Sequence, residues 1–348
     1  MENSKKIKTE KKANFIIQTE EEINLKQARD ISVKEGSFAS ISSGVGHSYI
    51  SPFAIALGAS NAQVGILSSL PGIVAPIAQL LGSRLVEKNS RKKIVLKYVL
   101  IEALIWLPIL CLALFAYLNL LENYLPWSLI FLYGLLYFVG NLASPAWFSW
   151  MGDIIPETIR GKYFSSRNRI CGAVALVSMF LAAFLLDLFK TKGWIFLGFI
   201  ILFLVANISR LISTYFFTKK YEPKLELKDG YYFSFLSFIK KIRQNNFGKF
   251  TIFVSLMRLT GFISAPFFAV YMLKNLNFSY FWFTVIIVTT TIFTLLTLPL
   301  WGRFSDKYGN KNLLKIGSVL IPLIPLLWAI SPNPYYLILG PGIIGGIG

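Results

Sequence analysis

Charged residues are scarce in this chain of 348 residues: Asp, Glu, Lys and Arg together make up 15% of it, whereas soluble domains carry roughly 25%. Three long stretches hold no charge at all, namely residues 123–152, 275–302 and 316–348. Apolar runs of more than about 18 residues without charge are typical of membrane spans. The scarcity excludes a soluble enzyme, a disordered chain and a secreted disulfide scaffold, and it predicts an all-α polytopic membrane protein.

Cysteine and histidine are nearly absent. Cys111 and Cys171 are the two cysteines, both in apolar segments, and His47 is the single histidine. These counts leave no disulfide framework, no CxxC pair and no His-rich metal site. The sequence also lacks a GxxxxGK[ST] loop, so ATP-driven pumping is unsupported. We therefore expect no metal, no cofactor and no catalytic residue.

Apolar segments predict about ten transmembrane helices. The tenth opens near Tyr335 and stops at Gly348 after about fourteen residues, whereas roughly twenty are needed to cross a membrane. The nine segments before it lie near residues 36–58, 61–85, 94–118, 125–151, 168–189, 193–218, 248–273, 279–301 and 313–330.

The basic residues predict how these helices are oriented. Of the 35 Lys and Arg residues, 30 fall in alternate polar segments, and the other side holds Lys190, Lys192 and Lys274. Because Lys and Arg stay on the cytoplasmic side, we expect a multi-pass protein of the cell membrane with a cytoplasmic N-terminus. The net charge of +18 is then explained by basic residues that face anionic lipid headgroups. We therefore expect no nucleic-acid partner.

A polar linker divides the chain into two halves. The predicted parts are a cytoplasmic tail (1–35), a six-helix bundle (36–218), a cytoplasmic linker with an interfacial helix (219–247) and an incomplete C-terminal bundle (248–348). Within the tail, Thr19 and Glu22 form a capping box, which predicts a short polar helix to about Lys34.

Two loops at equivalent places in the halves carry a similar pattern. The loop after the eighth span has Gly302, Asp306, Lys307, Gly309 and Lys311. This pattern, Gly-x-x-x-Asp-(Arg/Lys)-x-Gly-x-(Arg/Lys), resembles a signature of the major facilitator superfamily of secondary transporters. The loop after the second span is a degenerate copy, with Glu87 aligned to the Asp and followed by Arg91 and Lys92. The loop after the fourth span, which contains Asp153, Glu157 and Arg160, also resembles the one in that family.

The resemblance implies a six-plus-six helix bundle that moves a small solute by alternating access. It also implies that the cationic loops pair with Asp153 and Glu157 and latch the cytoplasmic side; the alternative is that these charges are a solvated tether. Residues 306–309 fit a type I turn. Because the family has twelve helices, the resemblance further implies that two are missing, and we expect residues 1–348 alone not to transport.

Charges inside the spans point to a solute pathway, because they are costly in lipid. Arg258 in the seventh span is the best candidate to face the solute, with hydrogen bonds to backbone carbonyls as the alternative. Glu102 and Arg210 lie on helices that are peripheral in the resembled fold, which favours structural roles. Asp187 is expected to pair with Lys190 at the interface.

Three uncharged candidates complete the expected cavity. His47 is either a proton site or a satisfied hydrogen-bond partner, Asn141 lies on a cavity-lining span, and Trp147 offers a ring on which a ligand can stack. The expected partners are a small-molecule substrate, a coupling proton or cation and membrane lipids, with the protein as a monomer.

Two other functions compete with transport. A membrane-embedded enzyme acting on lipid needs clustered His, Asp or nucleophilic groups at one depth, and the single His47 with two isolated intramembrane acids argues against it. The second competing function is that of a non-transporting receptor or scaffold, and a flux assay would distinguish it from a transporter.

Overall fold

The computed structural model describes residues 2–86, 89–223 and 246–347, and all regular secondary structure in these ranges is helical. Side chains are described from Glu20 onward, except at residues 246–247 and at scattered positions between 258 and 347. The helices are α1 Glu2–Val45, α2 Ile50–Ala56, α3 Asn61–Val86, α4 Arg91–Tyr117, α5 Leu125–Leu142, α6 Ser144–Ile154, α7 Glu157–Thr191, α8 Ile195–Lys219, α9 Asn246–Val270, α10 Tyr280–Tyr308, α11 Asn310–Ile330, α12 Pro334–Leu337 and α13 Ile343–Ile347.

Six of the described helices are long and apolar enough to cross a membrane. They are α3, α4, α5 together with α6, α7, α8 and most of α11. Two further apolar stretches, Gly248–Met257 and Tyr280–Thr294, are shorter than one span. The chain is therefore a multi-pass helical protein, while the count of ten spans stays a prediction.

α1 is one unbroken helix, which differs from the short polar helix predicted to begin at the capping box. It runs from Glu2 through the expected boundary at residue 35 and ends at Val45. The helix continues because its middle is part of the bundle: Ala28, Ser32 and Glu35 are all buried, and these positions lie on one helical face.

The first predicted span is interrupted after α1. Residues His47–Tyr49 form a 3-10 turn between α1 and α2. Gly46, directly before this turn, allows close packing, because a Cβ atom there would lie 2.5 Å from the Trp106 ring and 2.6 Å from the carbonyl oxygen of Ser42. This short turn contacts both cavities described below.

The bundle has two sides that differ in charge. Arg91 at the start of α4 contacts Asp153 near the end of α6 and Pro223 after α8; we call this the cationic side. The end of α7 meets the start of α10 through Asp187 and Tyr280; we call that the opposite side.

Buried apolar side chains form two clusters. The larger joins the first half to the second and includes Phe199 and Phe283, whereas the smaller lies toward the cationic side and includes Trp150. Helices in lipid are held together by close packing and small residues. Gly82 of α3 is such a residue, because a Cβ atom there would lie 2.4 Å from the carbonyl oxygen of Leu142 in α5.

The reversal between α10 and α11 is tighter than the predicted four-residue turn. α10 continues to Tyr308, so residues 306–308 are helical, and α11 begins at Asn310. Gly309 alone reverses the chain with a φ of +80°. Glycine allows this conformation because it has no Cβ atom.

Candidate functional site

A central cavity of about 520 Å³ lies between the two halves. Its walls come from the 3-10 turn, α2 and α3 in the first half and from α9, α10, α11 and the segment around Pro341 in the second. Pockets for small molecules usually measure roughly 300–1,000 Å³. The central cavity is therefore large enough for a small solute.

Trp328 gives the central cavity a flat aromatic wall. Its ring stacks on that of Phe268 with centroids 4.6 Å apart and an interplanar angle of 18°. The described lining residues include no charged side chain, and their polar side chains are the hydroxyl groups of Ser48, Ser51, Ser68, Thr290 and Thr291. This lining suits a neutral solute, because burying an unpaired charge is costly.

A second, inner cavity of about 280 Å³ lies within the first half, among α1, the 3-10 turn, α4, α5 and α8. Glu102 and Arg210 line it and form an ion pair with 2.6 Å between Oε2 and Nη2. Gly140 makes room for this carboxylate, since a Cβ atom there would lie 2.8 Å from Glu102 Oε2. The two intramembrane charges thus neutralise each other across 108 residues of sequence.

His47 and Asn141 also line the inner cavity. The His47 ring packs against Trp106 and Tyr137 at centroid distances of 5.1 Å and 5.3 Å, and its Nδ1 atom is buried without a hydrogen bond in the described part of the chain. Asn141 accepts a hydrogen bond from Gln79 and donates one to the Tyr137 carbonyl, both at 2.9 Å. The structure therefore brings these two predicted residues together, but away from the central cavity.

Arg91 is the centre of a network on the cationic side, where it is fully buried. It pairs with Asp153, and its Nη1 atom also donates to the carbonyl oxygen of Ser149 at 3.2 Å. Its Nη2 atom donates to the carbonyl oxygen of Pro223 at 2.8 Å. One side chain thus ties the start of α4 to α6 and to the segment that follows α8.

That segment, residues 220–223, crosses the start of α4, and we call it the strap. Glu222 accepts hydrogen bonds from the Ser90 hydroxyl at 2.6 Å and from the Lys92 backbone N–H at 3.1 Å. The Lys92 ammonium donates to the carbonyl oxygen of Lys220 at 2.8 Å. A carboxylate is favoured at a helix N-terminus, so Glu222 stabilises the start of α4.

Lys220 begins the strap as a fully buried cation. Its Nζ atom lies 3.9 Å from Glu35 Oε1, and the same oxygen pairs with Arg167 at 3.1 Å. Trp147 donates its indole N–H to that oxygen at 3.3 Å. Two cations and an indole therefore converge on one carboxylate, and this cluster, rather than a cavity, is where Trp147 lies.

The buried position of Lys220 makes stability depend on pH. Burial lowers the pKa of Lys220 from 10.5 to about 8, Arg167 contributes to the decrease and Glu35 opposes it. Between pH of about 8 and 10.5 the unfolded chain holds a proton that the folded chain has lost, so the free energy of unfolding rises with pH. From pH 8 to pH 9 we expect a rise of about 1 kcal/mol, measured by chemical unfolding in detergent. Lys220→Met should lose this rise, and an unchanged rise would assign it to other groups.

The predicted latch residues lie on the cationic side and are only partly paired as expected. Arg91 contacts Asp153, but Glu157 is exposed and lies 3.8 Å from Arg160. The Arg160 guanidinium also donates to the Gly152 carbonyl at 3.1 Å, which places it at the junction of α6 and α7.

Several predicted site residues lie wholly or partly outside the described part of the chain. Glu87 lies outside the described residues, and so do the side chains of Arg258 and Asp306; Gly302 is described only as part of α10. Lys307, Gly309 and Lys311 are exposed at the junction of α10 and α11.

Sequence reasoning missed Glu35, Lys220 and Glu222 as contact-making residues, and it expected a different partner for Asp187. The signal for Glu222 is that an acid lies three residues after the end of α8, among Lys219, Lys220 and Lys224. Asp187 was expected to pair with Lys190, three residues away. Instead its carboxylate accepts hydrogen bonds from two backbone N–H groups at the start of α10, because free N–H groups at a helix start attract an acid.

The chain is similar to known transporters in sequence pattern and in fold. Residues 36–348 match the family model described as Major Facilitator Superfamily, and no curated protein is recognisably similar in sequence. The fold is similar to that of the nucleoside transporter NupG, with 18% identity, a TM-score of 0.64 and coverage of 93% of this chain and 79% of that one. It is also similar to a bacterial homologue of the human lysosomal transporter Spinster in an inward-facing, unoccupied conformation, with 14% identity, a TM-score of 0.52 and coverage of 94% and 72%.

Proposed function

This chain belongs to the major facilitator superfamily, and from that premise we propose that the central cavity is the site from which a small solute is carried across the membrane. The protein is a membrane transporter and not an enzyme. Transporters built from two halves bind their solute where the halves meet. The observation that carries the proposal is the cavity of about 520 Å³ between the halves.

The solute that fits this cavity best is neutral, has a flat ring and carries a few hydrogen-bonding groups. The stacked pair of Trp328 and Phe268 offers a ring surface, and stacked aromatic pairs are worth roughly 0.5–1.5 kcal/mol beyond their buried area. The described lining has hydroxyl groups and no charge. The name of NupG, a nucleoside transporter, is in keeping with this class, so we propose a nucleoside-like solute.

Binding of adenosine to the purified chain tests the site and the solute class. Trp328→Leu is expected to raise the Kd of adenosine about fivefold, corresponding to a loss of about 1 kcal/mol of stacking, measured by equilibrium binding of radiolabelled adenosine in detergent. Trp194→Leu is the matched control, because Trp194 is exposed in the loop between α7 and α8 and should leave the Kd unchanged.

Adenosine monophosphate separates a neutral site from a charged one. We expect it to bind far more weakly than adenosine, because its phosphate would be buried without a partner. Absence of adenosine binding, equal binding of the monophosphate, or an unchanged Kd in Trp328→Leu would each contradict the proposal.

We also propose that the cationic side faces the cytoplasm and that the chain crosses the membrane about ten times, divided into bundles at 36–218 and 248–348. The distribution of Lys and Arg supports this orientation. An impermeant thiol reagent should label Lys274→Cys in intact cells, but Lys93→Cys only in permeabilised ones; the reverse would overturn the orientation. Arg91, Lys92 and Asp153 stay proposed as latch residues of that side.

The remaining proposals concern partners. Exposed apolar side chains such as Phe131, Leu181 and Phe184 support direct contact with lipid. We also propose that the protein acts as a monomer, as expected from the sequence. His47 and Asn141 are proposed to contact a solute or coupling proton in the inner cavity, and Arg258 stays a candidate from sequence.

A further inference from the structure

Several polar contacts between the halves lie at the first turn of α10, on the opposite side. Asp187, near the end of α7, directs both carboxylate oxygens at this turn. Oδ1 accepts a hydrogen bond from the Tyr280 backbone N–H at 2.7 Å, and Oδ2 accepts one from the Phe281 N–H at 2.9 Å. An acid of the first half thus caps a helix of the second.

α10 also carries a cap of its own. The Ser279 hydroxyl accepts a hydrogen bond from the Trp282 backbone N–H at 3.3 Å. The first N–H groups of a helix have no partner within it, so the start of α10 depends on acceptors from both halves. The positive end of the α10 helix dipole also stabilises the negative charge of the Asp187 carboxylate.

Other cross-half contacts surround this cap. The Lys190 ammonium lies 5.6 Å from the centre of the Tyr280 ring. Tyr49 donates its hydroxyl to the Met179 carbonyl at 2.6 Å and lies 2.8 Å from the Thr284 hydroxyl of α10. Tyr49 follows Ser48 in the 3-10 turn, and Ser48 lines the central cavity.

The cap lies directly beside the solute cavity. Phe283, one turn into α10, is a wall residue of that cavity, and its ring is 6.5 Å from the Tyr49 ring. A displacement of the first turn of α10 away from α7 would therefore move part of the wall.

Two ion pairs on the cationic side, in contrast to the Asp187 cap, join residues within one half. Arg91 pairs with Asp153, and Arg167 pairs with Glu35. Both pairs join elements of the first half to one another. The Asp187 cap, by contrast, must break when α7 and α10 part.

We propose that Asp187 closes the solute cavity on the opposite side, by capping α10 across the boundary between the halves. The inference rests on the proposed function, since it takes the central cavity as the solute site. Loss of an N-cap acceptor shifts a conformational equilibrium about fivefold, which corresponds to about 1 kcal/mol. A contact of this strength holds the closed form and still breaks in each transport cycle.

Sided labelling of a cavity cysteine tests this role without any solute. In a chain with Cys111 and Cys171 replaced by serine, Ser51→Cys places a thiol in the central cavity. The full chain is reconstituted in vesicles, and an impermeant thiol reagent is added from one side or the other. Asp187→Ala should increase labelling from the opposite side about fivefold, and Asp187→Asn, which keeps one acceptor, should give a smaller increase.

Ser279→Ala is the matched control, because it removes a cap from the same turn but within one half. It should lower the thermal stability by a similar amount and leave the sidedness of labelling unchanged. Unchanged labelling in both Asp187 variants, or an equal increase in Ser279→Ala, would overturn the gate. Failure of adenosine to bind would leave this result standing, so the two proposals fail separately.

Discussion

Arg210→Met is expected to lower the free energy of unfolding by about 3–5 kcal/mol, because it leaves the Glu102 carboxylate buried without its partner. The two side chains are 16% and 8% exposed and form one ion pair at 2.6 Å. Methionine keeps most of the apolar stem of arginine, so lost packing contributes little. Chemical unfolding in detergent measures the change.

The double variant Glu102→Gln with Arg210→Met tests whether the loss of stability comes from the unpaired Glu102 carboxylate or from lost packing. Both charges are then absent, and replacing a buried pair by neutral groups is often close to neutral in stability. We expect the double variant to recover most of the loss, which gives a coupling energy from the double-mutant cycle. If the double variant is as unstable as Arg210→Met, the loss comes from packing in the inner cavity and not from the carboxylate.

Sequence reasoning favoured structural roles for Glu102 and Arg210 but could not pair them. A charge in the interior of a span is costly in lipid, and its position within an apolar segment can be read from the sequence. Their pairing depends on α4 packing against α8 and on the space beside Gly140, and those are properties of the assembled bundle. The same limit explains why Trp147 was assigned to a cavity, although it bonds to Glu35.

The sequence predicted the positions of helices better than the contacts between them. α3 was predicted at residues 61–85 and runs from Asn61 to Val86, because lipid requires a long apolar helix of a fixed length. The 3-10 turn at His47–Tyr49 was missed, and so was the close packing of Trp106 against Gly46 beside it. No local pattern at residue 46 reveals a ring that lies 60 residues away.

Arg91→Met is the second large effect, with an expected loss of about 3 kcal/mol in the free energy of unfolding, because several charge-assisted hydrogen bonds are lost at once. Arg91 is fully buried and contacts Asp153, the Ser149 carbonyl and the Pro223 carbonyl. Lys93→Met, two residues further along and exposed, is the control and should change stability by less than about 0.5 kcal/mol.

Asp153→Asn decides whether Arg91 acts through one ion pair or through the whole network. Asp153 is 45% exposed, and pairs with an exposed partner are usually worth about 0–1 kcal/mol. We therefore expect Asp153→Asn to lose less than about 1 kcal/mol, because Arg91 still donates to the Ser149 and Pro223 carbonyls. A loss in Asp153→Asn as large as in Arg91→Met would mean that the ion pair alone holds this side. In that case the strap would be a passive neighbour, and the Arg91–Asp153 pair alone would carry the cytoplasmic latch predicted from sequence.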